Sequence, residues 1–120
     1  MVTIYLVEDN DAILILYQRL LIVKGFSVVG IAKNGVEAVE TYKSLPERPD
    51  VIIMAHRMPV KNGIEATKEI LQFDPEAKII FASADMSIRN QAMSVGAARF
   101  NLKPFQIDVL ISDIETLACT

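Results

Sequence analysis

Five short apolar runs recur along the chain, each followed by a stretch of helical periodicity. No other feature narrows the possible folds as much. The runs are TIYLV (Thr3–Val7), SVVGIA (Ser27–Ala32), VIIM (Val51–Met54), AKIIFAS (Ala77–Ser83) and RFNL (Arg99–Leu102). They are rich in Val, Ile and aromatics and nearly continuous in hydrophobicity, as in strands covered on both faces. Between them, helices are expected over residues 11–24, 34–44, 62–73, 86–95 and 106–117. Asn34 with Glu37, and Asn62 with Glu65, have the spacing of helix-start caps. Pro46, Pro49, Pro59, Pro75 and Pro104 all fall between elements. Strand–helix alternation of this regularity predicts an α/β fold, a doubly wound (βα)5 parallel sheet with helices on both faces. With 120 residues, 52% of them apolar, the chain fits one domain spanning 1–120 with one well-filled core.

Several function classes are disfavoured. The net charge of −3 and the scattered Lys and Arg argue against a nucleic-acid surface, which needs clustered basic charge. The longest apolar run, AILILY, is too short to span a membrane, so no membrane association is expected. Met1 runs directly into the first strand without a basic region, so no signal peptide is expected. The single cysteine, Cys119, forbids an internal disulfide and fits a reducing, cytoplasmic setting. Glycine patterns for dinucleotides or P-loops are absent.

In open parallel sheets the functional crevice lies beyond the carboxyl ends of the strands. After the first strand come Glu8, Asp9, Asn10 and Asp11. Ala55, His56 and Arg57 follow the third, Ser83 and Asp85 the fourth, and Lys103 the fifth. Adjacent acids repel each other, and a hard divalent cation such as Mg²⁺ is the usual reason to keep them together. Lys103 supplies a point charge for an anion, and Ser83 a hydroxyl donor. Such a set suits metal-assisted phosphoryl chemistry. Taken singly, an acid pair after a strand is usually a helix cap, and a Lys-Pro is usually a loop. Their coincidence at successive strand ends is what carries weight.

These residues sit in longer matching segments: YLVEDN at 5–10, PDVIIMAHRMPVKNGIEA at 49–66, IIFASAD at 79–85 and GAARFNLKPF at 96–105. In this order and spacing the chain resembles the receiver domain of two-component response regulators over essentially its whole length. The resemblance implies a flavodoxin-like (βα)5 sheet in strand order 2-1-3-4-5, and a signalling module, not an enzyme. It also implies that Glu8, Asp9 and the backbone carbonyl of Arg57 bind Mg²⁺. Ser83 would contact an attached phosphoryl group, Phe100 would be the aromatic switch residue, and Lys103 would bridge to a phosphoryl oxygen. A cis bond is implied between Lys103 and Pro104. Partners would be a histidine kinase or phosphotransfer protein, and an output protein or a second copy of the chain.

Ala55 departs from the pattern. It stands four residues before Pro59, where the family carries its phospho-accepting aspartate. A methyl group can neither attack phosphorus nor ligate a metal, so phosphorylation at this position is lost and Mg²⁺ affinity should fall. Asp50 matches the start of the strand, at the opposite end of the sheet, and is no substitute. Two accounts compete: an engineered Asp→Ala exchange in a normal receiver, or a natural phosphate-independent pseudo-receiver. The intact identities of Glu8, Asp9, Ser83, Phe100 and Lys103 favour the first. His56, next in sequence, reads as a surface imidazole on the opposite face.

Asp9-x-Asp11 after a strand also resembles haloacid-dehalogenase-type phosphatases, but the chain is short for that fold and the downstream segments favour a receiver. The first helix is unusually apolar. Ile13, Leu16, Tyr17, Leu20 and Val23 fit one core-facing stripe, which would leave Leu14, Ile15, Leu21 and Ile22 as an exposed patch for a partner helix or homodimer.

Overall fold

A computed structural model describes residues 1–103 and 107–119. Five parallel strands, β1 (Thr3–Val7), β2 (Ser27–Ala32), β3 (Val51–Met54), β4 (Ile79–Ser83) and β5 (Arg99–Leu102), form one sheet in the order β2-β1-β3-β4-β5. The helices are α1 (Asp11–Val23), α2 (Gly35–Ser44), α3 (Gly63–Phe73), α4 (Arg89–Ser94) and α5 (Ile107–Ala118). This is the expected doubly wound, flavodoxin-like fold. The expected Lys103–Pro104 cis bond lies outside the described residues.

Strand residues alternate between two cores, as the pleat requires. Ile4 and Leu6 of β1, Ile53 of β3 and Ile80 of β4 join Leu14, Leu21, Leu110 and Ile114 from α1 and α5. Tyr5, Val7, Ile52, Met54, Ile79 and Phe81 pack on the other side against Tyr42, Ala66, Ile70 and Ala92 from α2, α3 and α4. Every residue of β3 and β4 is buried, whereas the outer strands β2 and β5 are partly open. That accounts for the continuous hydrophobicity of the central runs.

The caps fall where the spacing places them. Asn34 accepts from the Glu37 N–H at 2.8 Å, and Asn62 with Glu65 closes a capping box. Asn10 caps α1 in the same way, accepting from Ile13 N–H at 3.1 Å. The end of α1 turns through Gly25 at φ 89°, a left-handed conformation that glycine adopts without a Cβ penalty. Two boundaries differ from expectation. β4 begins at Ile79 because Ala77 N–H closes a turn onto Asp74 O at 3.1 Å. The helix expected over 86–95 opens as a 3-10 turn (Met86–Ile88), capped by Asp85, before α4.

The phase of α1 needs correction. Its buried stripe is Leu14, Tyr17 and Leu21, so Leu14 and Leu21 belong to the core and not to an exposed patch. Ile15 and Ile22 are exposed as expected, at 49% and 59%, but their neighbours on that face are Leu16 and Val23, which had been placed in the core. The helix is apolar nearly all round, so periodicity alone does not set its rotation. Docking against β1, β3 and α5 does.

Candidate functional site

Backbone bonds one step beyond the strand ladders hold the candidate residues at one edge. Glu8 N–H donates to Ala32 O at 3.0 Å, Ala55 N–H to Val7 O at 3.0 Å, and Lys103 N–H to Ser83 O at 2.7 Å. Glu8, Asp9, Ala55, Arg57, Ser83 and Lys103 thereby share the wall of one cavity of about 560 Å³. Asp50 lies at the far end of the sheet, where its carboxylate accepts from Thr3 N–H at 2.9 Å and ties β3 to β1. Phe100 pairs with Phe81 and packs partly buried on the α2–α4 side; it is not part of the cavity wall.

Glu8 is the buried acid, 4% exposed, and both of its oxygens are engaged. Lys103 Nζ donates to Oε1 at 2.9 Å, and Asn10 N–H donates to Oε2 at 3.1 Å. The Lys103 ammonium also lies 5.8 Å from the centre of the Tyr17 ring. Burial pushes the Tyr17 hydroxyl up to about 12, with the Glu8 charge adding to the shift. Asp9 is held above the usual carboxylate range, first by desolvation and then by its hydrogen bond to Glu8 and the Glu8 charge. Ala55 is 5% exposed, and Ser83, 6% exposed, accepts from Asp85 N–H at 3.1 Å through its hydroxyl.

Two features of the site were not legible in the sequence. Asp85 closes part of the rim, where its carboxylate sits 3.7 Å from the Arg57 guanidinium. That pair is exposed on the Arg side and contributes little stability. His56 also lines the cavity and is not a plain surface imidazole: its Nδ1 is buried with no hydrogen-bond partner among the described residues. Burial pushes the ring below its ordinary value of 6.5, and Arg57 adds to this against the carboxylates of Asp85 and Glu65. The folded state therefore binds this proton more weakly than the unfolded chain. The contribution to stability is present above pH 6.5 and is lost as pH falls through the lower, folded value. His56 is the sole histidine, so one ring signal followed by NMR should titrate with a midpoint below 6.5; a midpoint at or above that value would contradict the burial argument.

Asp11 does not join Asp9 in the cavity. It sits in the first turn of α1, paired with Lys33, so the two acids of the phosphatase-like pattern are not brought together.

A five-stranded doubly wound sheet thus gathers an acid pair, a hydroxyl and a lysine at its carboxyl edge. The sequence matches the response regulator receiver domain family over residues 4–115, and the chain belongs to that family. It is 44% identical to the chemotaxis protein CheY of Thermotoga maritima over 104 residues, 84% of this chain and 85% of that protein. It is 40% identical to CheY of Bacillus subtilis over 113 residues, 92% of each. Among solved structures, the response regulator TrrA of Thermotoga maritima in complex with Mg²⁺-BeF superposes with a TM-score of 0.88 at 30% identity, covering 98% of this chain and 99% of that one. A receiver domain protein from Clostridium thermocellum, 24% identical, reaches 0.91 over 99% of this chain and 95% of its own, and shows the fold.

Receiver domains generally bind Mg²⁺ at the phosphorylation site. The donors here do not complete such a site. Glu8 already pairs with the Lys103 ammonium and accepts the Asn10 N–H, Asp9 is the remaining acid of the pair, and residue 55 offers only a methyl group. Among the described residues, no group of three or more His, Cys, Asp or Glu side chains is placed to hold a metal ion. No described helix is long and apolar enough to cross a membrane.

Proposed function

We propose that this receiver domain signals through protein–protein contacts without accepting a phosphoryl group at its central position. Ala55 stands where the family's phospho-accepting aspartate would be. The observation that carries this reading is the position of Ala55 itself. It is buried at the end of β3, in the same cavity as Glu8, Asp9, Ser83 and Lys103. Everything around the missing carboxylate keeps receiver identity, which favours a phospho-accepting receiver in which Asp was exchanged for Ala. Ser83 and Phe100 are then the switch residues, and Glu8, Asp9 and the Arg57 carbonyl are the metal ligands of the parent site. The partners are a histidine kinase or phosphotransfer protein, and an output protein or second copy reached through exposed helix surface.

A natural pseudo-receiver is the second reading, favoured by the Lys103–Glu8 pair that already balances the buried acid. Ala55→Asp separates the two. Both proteins are incubated with Mg²⁺ and acetyl phosphate and weighed intact. The native chain should stay unmodified, and the Ala55→Asp chain should gain one phosphoryl group in a chelator-sensitive way. If neither gains mass, the phosphate-independent reading stands and the exchanged-aspartate reading falls. A native chain that gains phosphate would overturn both.

A further inference from the structure

The acidic pocket of a receiver needs a cation, and in this chain one is built in. Glu8 is almost wholly buried beside Asp9, and a buried carboxylate persists only when it is paired. Its Oε1 is 2.9 Å from Lys103 Nζ, and its Oε2 takes the Asn10 N–H at 3.1 Å. Lys103 is held from a second side by the Tyr17 ring, and its side chain is 21% exposed. With alanine at position 55, no carboxylate from β3 draws the ammonium away from Glu8. A divalent ion arriving here meets one acid already paired. It must displace Lys103 from Glu8, or settle for Asp9 and water.

We propose that Lys103 is the resident cation of this pocket and excludes divalent metal from it by occupying Glu8. The ammonium supplies one positive charge against two carboxylates and leaves a divalent ion only Asp9 and water. The pocket is thus neutralised in part, and fixed in one arrangement, by the chain's own side chain and not by solution Mg²⁺. This rests on reading the pocket as that of a receiver, but not on the identity once carried at position 55.

The test is a Mg²⁺ titration of the full native chain and of Lys103→Met, followed by calorimetry and by amide NMR shifts at residues 8–10. The native chain should show no saturable response at millimolar Mg²⁺. Lys103→Met leaves two acids without their cation and should bind Mg²⁺ at least about tenfold more tightly, with a melting temperature that rises with the metal. Lys103→Gln keeps a hydrogen-bond donor for Glu8 without the charge; it should show the same gain, and it serves if Lys103→Met does not fold. Equal Mg²⁺ affinity in native and variant chains, whether tight or absent, would overturn the proposal. An Ala55→Asp chain that takes no phosphoryl group would instead count against the exchanged-aspartate reading, and the metal contrast would stand unaffected.

Discussion

Gly63→Ala should lower the unfolding free energy by about 2–4 kcal/mol, a large effect for one methyl group. A Cβ at this position would lie 2.1 Å from the Ala55 carbonyl oxygen and 3.0 Å from the His56 Cα. Both atoms are backbone, so no rotamer change relieves the contact. Gly63 N–H also donates to His56 O at 2.9 Å, and α3 begins here behind the Asn62–Glu65 capping box. The added methyl must therefore push the start of α3 away from β3 or turn the 55–57 segment, and either movement deforms the cavity. Chemical denaturation gives the stability, and amide shifts at residues 55–57 report the displacement. Gly25→Ala is the control. It meets nothing within 4 Å and costs only the strain of φ 89°, about 1 kcal/mol. If the two variants prove equally stable, close approach at Gly63 is not the determinant.

Ala55→Asp should be less stable than the native chain in chelator, by about 1–3 kcal/mol, through like-charge repulsion and desolvation. Residue 55 is 5% exposed, in a cavity that already holds Glu8 and Asp9. Lys103 carries a single charge, so an ammonium drawn from Glu8 toward a third carboxylate leaves two acids unneutralised. Mg²⁺ should recover the loss, because a ligand that binds only the folded state stabilises by about 2.7 kcal/mol at a hundred times its dissociation constant. Paired denaturant melts with and without Mg²⁺ read both quantities. An Ala55→Asp chain as stable as the native one in chelator would show that Lys103 or solvent absorbs the added charge.

The positions of Glu8, Ala55, Ser83 and Lys103 at one edge were legible because a parallel sheet puts every strand's carboxyl end on the same side. Finding the strands therefore located the site. Asn34 and Asn62 were legible as caps because capping is a contact within four residues of chain. The strand order rested on family resemblance, since alternation of elements gives parallel strands but not their sequence in the sheet.

What the sequence determined by itself was local or periodic: the five strands, the helices between them, the caps, and the absence of a carboxylate at residue 55. What only the tertiary structure decided involves groups far apart in the chain or surfaces with no internal preference. The rotation of α1 is one case. An all-round apolar helix has no phase until β1, β3 and α5 choose Leu14, Tyr17 and Leu21, leaving Leu16 and Val23 exposed. His56 is another: alternation puts it on the face opposite Ala55, whereas the turn after β3 brings it to the wall of the same cavity, its Nδ1 buried without a partner among the described residues. The last is the pairing of Lys103 with Glu8. Ninety-five residues separate them. Nothing local brings them together; the parallel sheet sets the carboxyl ends of β1 and β5 on the same side, and burial of Glu8 then requires the nearest cation.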